Sequence, residues 1–390
     1  MDTTINALNI STVGNDYNVL KDVLSYIDNH TFFKELASEN VGVLECLKKK
    51  EDGTRIFYCA NGSKKQPARK GTLNTSKCEE YLNEGDDILQ ILRNDGNIYF
   101  PMTKECTISL FNRVGLSGES LSLDSFVTED DETSYVTNKL NFLKNLLERN
   151  YGCKLMYRED DAGEKRGFHF FGGQGEHIPQ YNIIEVIDAI KEDMGELTVK
   201  YEIDSDYTRV WVEFPVISAD FSADYKKTDL IPGLYLETSD TSKCAFSVCG
   251  TIRQSKCCNV MYTKKVKKIH KGAFDAKKYK KEIEGSVFPE YRLYPQRFLD
   301  LALIDVTSPD DYINEMFEQT SLGVVLGKQK KDVKEYLLKN IPSPTTALDV
   351  VLCLMQCNIK AATRERQLAL GSAMNESLMK DIKKGIEILP

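Results

Sequence analysis

The feature that most restricts the fold is a change of rhythm near residue 275. Before it, short apolar runs alternate with tight-turn sequences: RNDGN at 93–97, EDDAGE at 159–164 and DSDYT at 204–208. Clusters of Asn, Asp and Gly supply the backbone conformations that short reversals need, so runs spaced this way read as antiparallel hairpins. From Asp275 to Ile388 the apolar residues recur at helical spacing, with breaks expected at Pro289, Pro295, Ser308–Pro309 and Pro342–Pro344. Strands followed by a block of helices predict an α+β chain: antiparallel hairpins or sheet with packed helices and a mainly helical C-terminal third.

Individual elements follow from the same rules. Helical spacing covers Asp16–Ile27 and Phe33–Ser38. Val41–Leu47 and Arg55–Ala60 read as strands around the turn KKKEDGT, and Asp86–Leu92 and Asn97–Phe100 as a second pair. Thr103 is a candidate N-cap for a helix to Val114, stopped by Gly115, and Asn138–Asn150 is an amphipathic helix. Cys153–Arg158, Lys165–Phe171, Glu196–Ile203, Thr208–Pro215, Gly233–Glu237 and Cys244–Ile252 read as strands, and Asn182–Asp193 and Thr345–Lys360 as helices. The predicted organisation is 1–95 as an N-terminal α+β region, 96–252 as a central sheet domain, 253–281 as a basic segment and 282–390 as a helical region.

No run of about 18 apolar residues is present, so no membrane-spanning helix is expected. The first 30 residues lack a basic stretch followed by an apolar one, so no signal peptide is expected and the chain reads as cytoplasmic. In that compartment the 11 cysteines are expected as reduced thiols. Cys244, Cys249, Cys257, Cys258 and His270 lack the paired knuckle spacing of a zinc site, and the four histidines form no metal-ligand pattern. No metal, cofactor or catalytic residue is expected. Gly172-Gly173-Gln174-Gly175 lies between a strand and a helix but lacks the residues of a phosphate loop.

Charge is distributed unevenly. The chain carries 51 Lys and Arg against 59 Asp and Glu, a net of −8, yet residues 253–281 hold 11 basic residues against the single acid Asp275. Such a block makes a local positive field that attracts polyanions. Its basic members Arg253, Lys256, Lys264, Lys265, Lys267, Lys268, Lys271, Lys277 and Lys278 are candidate phosphate contacts. Tyr262 and Tyr279 are candidate stacking platforms for unpaired bases. A second basic loop, Lys64, Lys65, Arg69 and Lys70, could extend the track.

Four stretches carry a family resemblance: PMTKECTISLFNRVGLSGESL at 101–121, KRGFHFFGGQGEHIPQYNIIEVIDAI at 165–190, GLYLETSDTSKCAFSVCGTIRQSKCCNVM at 233–261, and TALDVVLCLMQCNIKAATRERQLALGSAMNESLMKDI at 346–382. In order and pattern, about residues 100–385 resemble the phage and plasmid proteins grouped as domain of unknown function 932. That family's central Asn-Ser-His-Asp-Gly-Ser-like loop is matched at Ser239, Asp240 and Ser242, while its His and Gly are missing here. The resemblance implies a phage, plasmid or integrated-element origin among nucleic-acid-handling genes, and no activity.

Three functions are therefore in view. The first is a non-catalytic nucleic-acid-binding protein that prefers single strands. The second is a protein–protein component, either a virion part or an inhibitor of a host defence enzyme, with oligomerisation left open. The third is a metal-dependent enzyme acting on nucleic acid or nucleotides, with Glu237, Asp240 or Asp130–Glu132 holding Mg²⁺.

Overall fold

The computed structural model describes residues 5–36, 41–49, 55–59, 66–67, 87–91, 98–113, 153–172, 179–215, 217–219, 228–241, 243–254, 259–268 and 274–387. The architecture is α+β, with two sheets and a C-terminal third of helices. The predicted helix Asn138–Asn150, the acidic stretch 123–133, the glycine loop after Gly172 and most of the basic loop near residue 65 lie outside the described residues.

The first sheet has seven strands: β1 (Ser11–Gly14), β10 (Thr198–Asp204), β11 (Thr208–Glu213), β12 (Ile217–Ala219), β13 (Thr228–Thr238), β14 (Phe246–Gln254) and β15 (Met261–Lys268). Its main path runs β1-β10-β11-β13-β14-β15, with β12 beside β13, and every pairing is antiparallel. The second sheet runs β2 (Thr31–Leu36), β8 (Cys153–Glu159), β9 (Lys165–Gly172), β7 (Ile98–Met102), β6 (Asp87–Ile91), β3 (Val41–Lys49), β4 (Arg55–Cys59) and β5 (Gln66–Pro67). Within it only β7 and β9 pair in parallel.

Alternation decides how the first sheet is used. In β11, Val210 and Val212 are buried while Arg209, Trp211 and Glu213 point the other way, the period-two pattern of a strand with one apolar face. That apolar face joins α1 (Tyr17–Asn29) and α3 (Asn182–Met194) in one core containing Leu20, Leu24, Ile183, Ile187, Leu234 and Val248. Each such side chain contributes roughly 1.5–3 kcal/mol by leaving water. Asp16 caps α1, accepting from Asn18 N (2.8 Å) and Val19 N (3.2 Å). Thr103 caps α2 (Lys104–Arg113) by accepting from Cys106 N (3.1 Å).

The helices that complete the core are α4 (Ala276–Ser286), α5 (Phe288–Ala302), α6 (Pro309–Gln319), α7 (Leu322–Leu326), α8 (Lys330–Asn340), α9 (Ala347–Gln356) and α10 (Arg364–Met379). Thr346 and Asp349 form a reciprocal capping box at the start of α9. Cys353 and Cys357 are buried in the same core, and the described cysteines Cys106, Cys244, Cys249, Cys353 and Cys357 carry no disulfide.

Several expectations change. Residues 33–36 are strand, because β2 pairs with β8 along Thr31–Leu36 and tertiary pairing overrides the helical spacing. Pro295 does not end a helix but lies inside α5, whereas Pro289 sits in that helix's first turn, where its missing N–H has no partner to lose. Both sheets join strands distant in sequence. β1 pairs with β10, β2 pairs with β8, and the basic stretch begins in β14 and supplies β15, the edge of the first sheet.

Candidate nucleic-acid interface

The second face of the seven-stranded sheet is polar and aromatic. Register aligns its residues in rows across the strands: Glu202, Arg209, Glu237 and Ser247, then Lys200, Trp211, Tyr235, Cys249 and Lys265. Trp211 is the sole tryptophan of the chain. Tyr235, Cys249 and Tyr262 are buried together there, with Trp211, Val260 and Leu368 packed against them.

Helix α10 sets the depth of this face. Arg364, Leu368 and Gly371 fall at i, i+4 and i+7, so they share one side of the helix, which lies against β15. Gly371 has no side chain to hold the helix away: a Cβ there would collide with the Tyr262 ring and the Val260 carbonyl. The close approach delivers Arg364, two turns earlier, over the aromatic rows. Its guanidinium carbon lies 4.5 Å from the Tyr235 ring centre, 4.8 Å from Trp211 and 5.9 Å from Tyr262. Arg364 donates from Nε to Tyr235 Oη (3.4 Å), from Nη2 to Tyr262 Oη (3.3 Å) and from Nη1 to Gln367 Oε1 (2.7 Å).

Charge balance separates Arg364 from the other cations of this face. Arg209 meets Asp204 and Glu237, each at 3.4 Å, and Glu202 at 3.8 Å. Arg253 pairs with Glu213 (2.8 Å), and Lys265 lies 3.5 Å from Glu237. Among the described residues no carboxylate comes within ion-pair distance of Arg364. Its link to Glu237 runs through Tyr235, which donates to Glu237 Oε1 at 2.9 Å and whose phenol pKa is pushed up mainly by burial. Burial works against the Arg364 charge, yet the Tyr262 and Tyr235 hydroxyls hold its pKa above the usual arginine value. Cys249 and Cys244 sit on strand β14 and the turn before it, with thiols pushed up to about 12 by burial, so neither is an activated nucleophile.

A cleft of about 260 Å³ opens beside Arg364, between the first turns of α10, the α9–α10 connection and the start of β15. Trp211, Tyr262, Asn259, Ala361, Gln367 and Gly371 are among its walls. Asn259 is fixed there by donating to the carbonyls of Met355 (3.0 Å) and Cys357 (2.6 Å) at the end of α9.

The predicted contact residues separate into groups. Lys265 is exposed at the edge of the polar face, while Lys277 and Lys278 are exposed on the first turn of α4. Lys264, Lys267 and Lys268 lie on β15, and Arg253 on β14 is engaged with Glu213. Lys256 and Lys271 lie outside the described residues. The two tyrosines are corrected. Tyr279 is buried in the main core, edge-on to Phe246 and donating to Val266 O (3.0 Å), because Tyr279 and Ile283 form the apolar stripe of α4. Tyr262 is also buried and meets Tyr235 edge-on, so it is a wall of the cleft and no surface platform. The sequence reading missed Arg364 and Arg209. A lone tryptophan in an alternating strand, Trp211, is the sequence signal that points to this face.

A second polar cluster links the two sheets. Arg158 on β8 donates from Nη2 to Asp240 Oδ2 (2.6 Å), with both side chains wholly shielded, and its guanidinium carbon lies 4.3 Å over the Phe168 ring. Ser239 Oγ accepts from Lys243 N (3.0 Å), closing the turn that presents Asp240. Asp28 accepts from Gln180 N (3.1 Å) and Tyr181 N (2.9 Å) at the head of α3, and Thr208 Oγ1 donates to Gln180 Oε1. The carboxylates considered for Mg²⁺, Glu237 and Asp240, are thus committed to ion pairs, and Asp130–Glu132 lie outside the described residues. Among the described residues no three metal-ligating side chains converge, and no helix is long and apolar enough to cross a membrane. Comparisons with family models, with curated proteins and with solved structures return no match to this chain.

Proposed function

We propose that this chain binds single-stranded nucleic acid without catalysis, in a phage or mobile-element setting as its resemblance implies. The interface is the polar face of the seven-stranded sheet together with its basic edge, β15 and the first turn of α4. The observation that carries the reading is Arg364, a half-buried guanidinium held over aromatic rings with no carboxylate within ion-pair distance among the described residues. A phosphate would give Arg364 a direct counter-charge, and the partly exposed Trp211 ring beside it suits an unpaired base better than a stacked duplex.

Fluorescence anisotropy of labelled single- and double-stranded oligonucleotides, titrated at several salt concentrations, tests this. Single strands should bind more tightly, and log K should fall linearly with log salt by about 0.7 per phosphate engaged. Charge reversal at Lys267, Lys268, Lys277 and Lys278 together should abolish binding. Unchanged affinity in that variant, or no binding by the natural chain at low salt, would remove the assignment.

A further inference from the structure

We propose that the cleft beneath the first turn of α10 is a site for one nucleotide, with the base against Trp211 and the phosphate on Arg364. The ligand class rests on the nucleic-acid reading above; the shape and chemistry of the site are its own.

The volume of about 260 Å³ falls just below the roughly 300–1,000 Å³ of pockets that enclose drug-sized ligands, which restricts the occupant to a small molecule or one unit of a chain. Its walls divide by chemistry. Trp211 and Tyr262 offer flat rings, Ile359, Leu370 and Met374 offer aliphatic surface, and Arg364 supplies a charge next to the rings. A guanidinium has five N–H donors. Three are spent on Tyr235, Tyr262 and Gln367, which leaves one on each Nη. Two remaining donors, one on each terminal nitrogen, suit two oxygens of a phosphate.

Other ligand classes fit less well. A cation would meet Arg364 where an aromatic cage would otherwise receive it. A purely apolar molecule would strip water from the guanidinium and return no counter-charge. A flat ring joined to an anion satisfies both the aromatic wall and the charge beside it. Gln367 Oε1 is occupied by Arg364, which leaves its Nε2 as a donor to the edge of a base.

Trp211 makes the idea measurable, since it is the sole tryptophan and lines the cleft. The full-length chain would be titrated with nucleoside 5′-monophosphates, with nucleosides and with inorganic phosphate while its tryptophan emission is followed. Oligonucleotide anisotropy would be run in parallel. Monophosphates should quench saturably, nucleosides should bind at least tenfold more weakly, and phosphate should compete without quenching. Ala361→Phe, which fills the cleft from the α9–α10 connection, should remove the quenching. Arg364→Gln should bring monophosphates down to the affinity of nucleosides.

Emission that stays unmoved at millimolar monophosphate while oligonucleotides still bind would overturn the nucleotide site and leave the proposed function standing. Loss of both signals would overturn both. Quenching that persists unchanged in Ala361→Phe would place the ligand elsewhere and overturn the site.

Discussion

Two arginines of this chain solve the same electrostatic problem in opposite ways. Arg158 is sealed between the sheets with Asp240 at 2.6 Å and the Phe168 ring beneath it. Arg364 lies half-buried beside a cleft, among three aromatic rings and, among the described residues, without an ion-paired carboxylate. A charge fully removed from water needs its counter-charge built into the fold, because no mobile ion can reach it. A charge at an opening can take its partner from solution. The first arginine ties the two sheets together, and the second is the one on which the proposed interface is centred.

The largest expected effect comes from breaking the sealed pair. Arg158→Met or Asp240→Asn alone leaves a buried group without its partner and should cost about 3–5 kcal/mol in chemical denaturation. Replacing both with apolar residues should recover most of that loss. Additive losses in the double variant would mean that the two side chains do not act as a pair.

Next comes the pH response of the sealed region. Asp28 beside it has its pKa pushed up to about 6, chiefly by burial, against an ordinary value of 3.8. The folded chain therefore holds a proton that the unfolded chain has released between those two values. Stability should fall by up to about 3 kcal/mol as pH rises from about 4 to about 6, then level off for this group. Asp28→Asn should flatten that part of the stability profile, and an unaltered profile would exclude Asp28 as its source.

The smallest expected change in stability is at the open site. Arg364→Gln gives up cation–π contacts worth about 0.5–2 kcal/mol, and relief of desolvation offsets part of it. Thermal melts should shift far less than for Arg158→Met. An equal shift would erase the distinction between the two arginines.

Local chemistry made much of the architecture legible in the sequence. The turns EDDAGE and DSDYT each sit between paired strands, RNDGN lies outside the described residues, and Asp16 and Thr103 cap the helices that follow them. These are short-range signals, each carried within a few residues. What escaped is long-range. Phe33 became strand because a partner more than a hundred residues away pairs with it. Arg364 meets Tyr235 and Tyr262 across 129 and 102 positions, and Arg158 meets Asp240 across 82, separations that leave no periodicity to read. Tyr279 shows a different failure. Its spacing to Ile283 marked an apolar stripe, but the lysines around it drew attention to charge.

The position of β15 has one more consequence. It ends the seven-stranded sheet, and a sheet's last strand is where another copy of a chain could add its own. Here that margin carries Lys264, Lys265, Lys267 and Lys268, and α10 lies across its beginning at Gly371. Lysines on an outer strand repel their own kind and keep it solitary. If the proposed interface is right, the same lysines would serve two ends, contact with a polyanion and protection of a sheet margin, and a ligand that neutralised them would weaken the second.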